Sequence, residues 1–207
     1  MLDRELRYYE YALDQMVTRV EIFRKEFTRE SSCNPIEHIK ARLKTRESVL
    51  EKCSKKEVEP TAKTLRAHVR DIAGIRIICS FRGDIYRLAG MFMQQHDLQV
   101  LEYKDYIENP KPNGYQSLHL IVETQVHLSD RVLKIPVEIQ IRTVAMDFWA
   151  SLEHKIYYKK DLYDIPSYLQ ADLKDAAATI ARLDEKMEQI HEDMEKHRLF
   201  AREGMAV

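Results

Sequence analysis

The stretch PVEIQIRT, Pro136 to Thr143, constrains the fold more than any other part of the chain. Residues two apart on a β-strand share a face. Val137, Ile139 and Ile141 therefore form one aliphatic face, which needs a core beneath it. Glu138, Gln140 and Arg142 set an acid, an amide and a base on the other. That polar face is either a solvent surface or the floor of a site, and alternation by itself favours solvent.

An α/β pattern surrounds this strand. AGIRIICSF (73–81), LQVLEYKDYI (98–107), QSLHLIVET (116–124) and RVLKIPVEIQIR (131–142) read as strands. Six residues separate the last two, which suits a hairpin. GDIYRLAGMFMQQH (83–96) and TVAMDFWASLEHKIYYKK (143–160) read as helices. ENPKPNGY (108–115) is a loop with an Asn113-Gly114 turn signal. Asn34-Pro35 is expected to cap another helix running to about Lys55. Alternation is incomplete in several strands, so helices should cover one sheet face.

Long helices are expected at both ends. Leu6, Tyr9, Leu13, Met16, Val20, Phe23 and Phe27 follow helical spacing, as do Leu169, Leu173, Ala176, Ile180, Leu183, Met187, Ile190 and Met194. Pro166 and Ser167 give a start signal for the second. Such stripes serve as core seams, and two of them also offer surfaces for self-association.

Bulk properties exclude several classes. The 207 residues are 44% hydrophobic and 32% charged, which fits a cytosolic globular protein able to bury a core. No apolar run approaches the ~18 residues of a membrane span. Cys33, Cys53 and Cys79 are scattered, without disulfide or zinc spacing, and HEDMEKH (191–197) misses HExxH by two positions. A net charge of −1 does not indicate a polyanion-coating protein. Residues 40–70 nonetheless hold ten Lys/Arg against four acids, which suits a compact anionic ligand.

Four constellations could carry chemistry. In RDIAGIRIICSF, Asp71 precedes a strand, Arg76 interrupts its apolar run, and Gly74 permits close approach. Arg76 needs a partner or a ligand; a structural pair with Asp71 is one reading. If the Asp71 and Glu138 strands are neighbours, two carboxylates meet on one face, a donor set that Mg2+ accepts together with substrate phosphates. In GYQSLHL, Tyr115, Ser117 and His119 alternate on one face, and an aromatic there could stack on a base. Lys44, Ser48, Lys52 and Lys55 form one helical stripe, suited to polyphosphate or merely solvated. On an unbroken helix Arg42 could not join that stripe.

Together these residues resemble the synthetase domain of the RelA/SpoT family, and its stand-alone small alarmone synthetases in particular. The resemblance rests on NPIEHIKARLKTRESVLEK, RDIAGIRIIC, NGYQSLHL and VEIQIRTVAMDFWASLEHKIYYK, in family order over about 34–160. It implies an α/β (α+β) fold, a nucleotidyltransferase-like mixed sheet flanked by helices. It also implies a single synthetase domain over 1–207 without a hydrolase domain. Terminal helices, about 2–29 and 167–199, would pack and build a homotetramer.

The implied reaction moves the β,γ-pyrophosphate of ATP to the 3′-hydroxyl of GDP or GTP, giving AMP and ppGpp or pppGpp in the stringent response. Asp71 and Glu138 match the family's Mg2+-binding acids, with Glu138 also orienting or deprotonating the hydroxyl. Arg42 and Arg76 match the pair that sandwiches adenine, and Lys44, Ser48, Lys52 and Lys55 match positions on the ATP phosphates. Tyr115 matches the aromatic that stacks on guanine. Lys104, Lys111, His119, Gln140 and Asp147 match positions around the acceptor nucleotide. Neither nucleic acid nor membrane is required. The rival readings are a nucleotidyltransferase that moves AMP and a non-catalytic nucleotide- or RNA-binding module.

Overall fold

The computed structural model describes residues 2–30, 34–157 and 166–204. Five strands form one sheet in the order β1-β2-β5-β4-β3: β1 (Ile36–Leu43), β2 (Ala73–Cys79), β3 (Leu98–Asp105), β4 (Leu118–His127) and β5 (Val132–Thr143). β2 and β5 run parallel, and every other pairing is antiparallel. The expected β4–β5 hairpin is present, and the Asp71 and Glu138 strands are indeed neighbours.

The aliphatic side of β5 faces the core. Val137, Ile139 and Ile141 are fully buried, beside Ile75 and Ile77 of β2 and Leu120 and Val122 of β4. Helices α1 (Leu2–Glu30) and α4 (Arg82–Met93) cover this face and meet where Phe23 packs edge-on against Phe92, 5.3 Å between centroids. The α1 stripe is consumed there: Tyr9, Met16 and Val20 are wholly buried, as are nearly all of Phe23 and Phe27. Each such side chain contributes about 1.5–3 kcal/mol of burial. The α1 seam is thus core.

The expected helix from Asn34 to Lys55 is incorrect in its first half. Residues 36–43 are the edge strand β1, and only α2 (Arg46–Lys55) is helical. The cause is a bulge. Pairing shifts between Ile36 and His38, so Ile36 rejoins the side occupied by Ile39 and Leu43. The resulting 3- and 4-residue apolar spacing imitates a helix. Thr45 then caps α2, accepting from Ser48 N at 3.3 Å. A short helix, α3 (Ala62–His68), starts at a Thr61–Thr64 capping box.

α5 (Val144–Tyr157) follows β5 directly; residues 158–160, expected to continue it, lie outside the described residues. α6 (Ser167–Gly204) packs on α5 and α4 with Leu173 and Ile180 of its apolar stripe partly buried, but the C-terminal part of that stripe is left out. Leu183, Met187, Ile190 and Met194 are each about half exposed. The docking face adds small and polar groups. Asp184 accepts from Thr143 Oγ1 at 2.7 Å in a buried setting, Glu188 accepts from Gly83 N at 2.7 Å, and His191 stacks on Phe81 at 4.3 Å. Trp149 Nε1 donates to Leu173 O at 3.1 Å. Among the described residues, no helix is long and apolar enough to cross a membrane.

Candidate active site

The sheet face opposite α1 and α4 is polar, and strand register explains its composition. One row crosses all five strands as Lys40, Arg76, Gln140, His119 and Lys104. The next runs Arg42, Gly74, Glu138, Ile121 and Glu102. These rows floor a cavity of about 910 Å³. Its lining includes ten of the residues expected from sequence: Arg42, Lys44, Asp71, Arg76, Lys104, Lys111, Tyr115, His119, Glu138 and Gln140. The polar face of β5, through Glu138 and Gln140, floors this cavity and is not a flat solvent surface.

Arg42 reaches this floor because it stands on β1, and Lys44 follows immediately before α2. The two come together through the strand-to-helix break that an unbroken helix would have forbidden. Gly74 stands beside Glu138, and a Cβ there would meet Glu138 Oε2 at 4.0 Å, an ordinary van der Waals contact.

The two acids are held differently. Lys44 Nζ donates to Asp71 Oδ2 at 2.7 Å, and Lys52 Nζ donates to the same oxygen. Burial pushes the Asp71 carboxyl up, but the two lysines outweigh it and hold it below the usual range. Asp71 Oδ1 is buried with no hydrogen-bond partner among the described residues. Glu138 accepts from Gln140 Nε2 at 3.0 Å and faces His119 Nδ1 at 3.5 Å. Burial pushes it up, the hydrogen bond and electrostatic pull of His119 bring it down, Asp71 opposes and Gln140 assists; the result is again a lowered carboxyl. Both acids are carboxylates at neutral pH.

A hydrogen-bonded chain leads away from Glu138. Arg142 Nη2 donates to the Tyr115 hydroxyl at 2.5 Å. The same hydroxyl lies 2.9 Å from His119 Nε2, and the ring's Nδ1 faces Glu138 at 3.5 Å. Arg142 also donates to Gln140 Oε1 at 3.0 Å and pairs with Asp147 at 3.3 Å. It is the buttress under the polar floor. The Tyr115 ring has Lys111 Nζ at 4.8 Å and the Arg142 guanidinium at 4.9 Å, and stands edge-on to His119.

Arg76 finds its partner in Asp147 at 3.1 Å, not in Asp71. Asp147 is largely covered by Arg76 and Arg142 and does not line the cavity. Ser48, Lys52 and Lys55 also lie outside the lining: Ser48 caps α2 with Thr45, Lys52 acts through Asp71, and Lys55 pairs on the surface with Glu51 at 2.7 Å. Sequence reasoning missed Lys40, Glu102, Tyr106, Asn113 and Glu153, which line the cavity. Period-two counting on β1 and β3 would have found Lys40 and Glu102. Glu153 had a signal too, being the acid on the α5 stripe that holds buried Met146, Trp149 and Ala150.

Comparisons with known proteins agree with this geometry. Residues 41–163 match the model of the region found in RelA/SpoT proteins. The chain is 51% identical over 183 residues to the GTP pyrophosphokinase YwaC of Bacillus subtilis, covering 88% of this chain and 87% of that protein. It is 35% identical over 194 residues to the GTP pyrophosphokinase YjbM of the same organism, covering 94% and 90%. Among solved structures, small alarmone synthetase 2 from B. subtilis superposes with a TM-score of 0.83 at 48% identity, over 92% of this chain and 98% of that one. Small alarmone synthetase 1 bound to its product pppGpp gives 0.84 at 34% identity, over 92% and 96%. With its mixed five-stranded sheet, its paired carboxylates and these relatives over most of its length, the chain belongs to the RelA/SpoT family.

Proposed function

We propose that the protein transfers the β,γ-pyrophosphate of ATP to the ribose 3′-hydroxyl of GDP or GTP, producing AMP and ppGpp or pppGpp as stringent-response signals. The observation that carries this reading is the pair of acids, Glu138 on β5 and Asp71 just before the parallel neighbour β2, in a cavity lined by cations and aromatic rings. The relatives named GTP pyrophosphokinase and the product-bound synthetase support it.

The bond that forms joins the 3′-oxygen to the β-phosphorus. The bond that breaks joins that phosphorus to the oxygen it shares with the α-phosphorus, and AMP leaves. Such transfer needs alignment and charge neutralisation more than covalent help. Arg42 and Arg76 hold the adenine, and Lys44 holds the phosphates, with Lys52 keeping Asp71 in place and Ser48 and Lys55 flanking them. Tyr115 stacks on the acceptor base. Lys104, Lys111 and Gln140 orient the acceptor's phosphates and ribose, while Asp147 anchors Arg76. Glu138 orients the 3′-hydroxyl and accepts its proton, with His119 beside it.

The residues present fit Mg2+. Asp71 Oδ1 is buried without a partner, Glu138 is adjacent, and two carboxylates with substrate phosphates are a sufficient oxygen set for that ion. When bound, Mg2+ supplies charge neutralisation at the phosphates.

The reaction is placed in the cytoplasm, where ATP and guanine nucleotides are held. The exposed α6 stripe, with Tyr11 and Ile22 of α1 and Phe148 and Ile156 of α5 also exposed, supports a homotetramer assembled through the terminal helices. Mass measurement in solution tests this: Met187→Glu should shift the species toward smaller assemblies, and a wild-type monomer would exclude it.

The test of function is a product assay with γ-labelled ATP, Mg2+ and each guanine nucleotide. Label should appear in a guanosine product with stoichiometric AMP. Release of pyrophosphate with AMP transferred would establish the rival reaction, and label absent from every guanosine product would overturn the proposal.

A further inference from the structure

Four carboxylates line the cavity, and three are engaged. Asp71 holds Lys44 and Lys52, Glu138 holds Gln140 and faces His119, and Glu102 pairs with Lys104 at 2.8 Å. The fourth, Glu153 on α5, forms no ion pair with a described cation. Its Oε1 accepts from Asn113 Nδ2 at 3.1 Å, and Asn113 Oδ1 accepts from Tyr115 N at 3.1 Å. Glu153, Asn113 and the backbone of Tyr115 are therefore one connected unit. A carboxylate has about four lone-pair sites, so the bond to Asn113 leaves Glu153 most of its accepting capacity.

We propose that Glu153 selects the acceptor base by accepting the N1–H and 2-amino hydrogens of guanine; this rests on the pyrophosphotransfer reading given above. Guanine presents those two donors side by side, and a carboxylate presents two acceptors to match them. Adenine sets an N1 lone pair in the same place and would meet the carboxylate with like polarity. Asp147, the acid that the sequence suggested for the acceptor site, is committed to Arg76 and Arg142 and does not line the cavity. Glu153 is the acid that lines the cavity beside the Tyr115 loop. A site built to bond a substrate N–H strongly rejects an analogue that lacks it, because its own polar group is left unpaired.

The test compares GDP with IDP, which lacks only the 2-amino group, as acceptors with ATP and Mg2+. Wild-type kcat/KM should favour GDP by at least about tenfold, equivalent to about 1.4 kcal/mol. Glu153→Gln replaces one acceptor by a donor and should bring that ratio within about threefold, with KM for ATP unchanged. If Glu153 only supports Asn113, both acceptors fall together and the ratio survives, which overturns the proposal. A wild-type enzyme that uses GDP and IDP equally overturns it without any variant. Failure of the underlying reaction is distinct, since GDP would then give no pyrophosphorylated product at all.

Discussion

Gly114 and Ala177 approach so closely that a Cβ on the glycine would lie 2.6 Å from the alanine Cβ. Gly114 also has φ +89°, a backbone conformation that L side chains rarely adopt. Helix α6 therefore braces the loop that carries Lys111, Asn113 and Tyr115.

Gly114→Ala should move that loop. The left-handed backbone alone costs about 1–2 kcal/mol, and relief of the contact must displace either the loop or α6. KM for the guanine nucleotide should rise at least about tenfold, while KM for ATP should stay within about twofold, since Arg42, Lys44 and Asp71 lie on other elements. Initial rates against each substrate read the difference. Equal losses for both would mean that α6 braces the whole site and not its acceptor side.

Glu138→Gln keeps shape and removes charge. Gln140 retains a carbonyl to donate to, so the floor should persist. Loss of a positioned base or metal ligand is expected to lower kcat by about 10²–10⁴-fold. Thermal melting and nucleotide binding should stay near wild type, and full activity would remove Glu138 from the mechanism.

The polar floor was legible in the sequence only where one strand could be read by itself. Glu138, Gln140 and Arg142 alternate cleanly, and β5 lies where it was expected. β1 was misread because its bulge re-phases the pattern, and no local signal reports a bulge whose partner strand begins thirty residues later. Pairing partners were equally hidden. Asp71 and Arg76 are five residues apart, yet each binds a partner from another element. The α6 stripe has a regular period, but period cannot say whether a stripe meets its own core or solvent. That was settled by Ala177, Asp184 and His191, which dock through the neighbouring face of the helix.

The lysines on Asp71 make a pH prediction. Its carboxyl is depressed in the fold, so the associated stability is present above the ordinary carboxylate range and is lost as pH falls through the depressed value. In a Lys44→Met, Lys52→Met double variant the upward push of burial is unopposed. Asp71 should then titrate above its ordinary value, and its stabilising or binding role should fade at a higher pH than in wild type. Carbon-13 NMR of the side-chain carboxyl follows this directly; a titration that stayed low would show that other groups hold the charge.

Arg142 has a side chain only 4% exposed and serves four groups at once: Tyr115, Gln140, Ser117 and Asp147. Lysine is a point charge on a flexible stem and cannot reproduce that fork. Arg142→Lys should therefore cost about 2 kcal/mol or more, which in a chain of this size lowers Tm by about 4–8 °C. It should also raise KM for the guanine nucleotide, because the Tyr115 hydroxyl loses its donor. The decisive measurement is a double-mutant cycle with Tyr115→Phe. If Arg142 acts on the acceptor through that hydroxyl, the second substitution adds little to the first, and the coupling is about 1 kcal/mol or more. Strict additivity would mean that Arg142 supports Gln140 and Asp147 alone, and that Tyr115 is positioned by Asn113 and the loop.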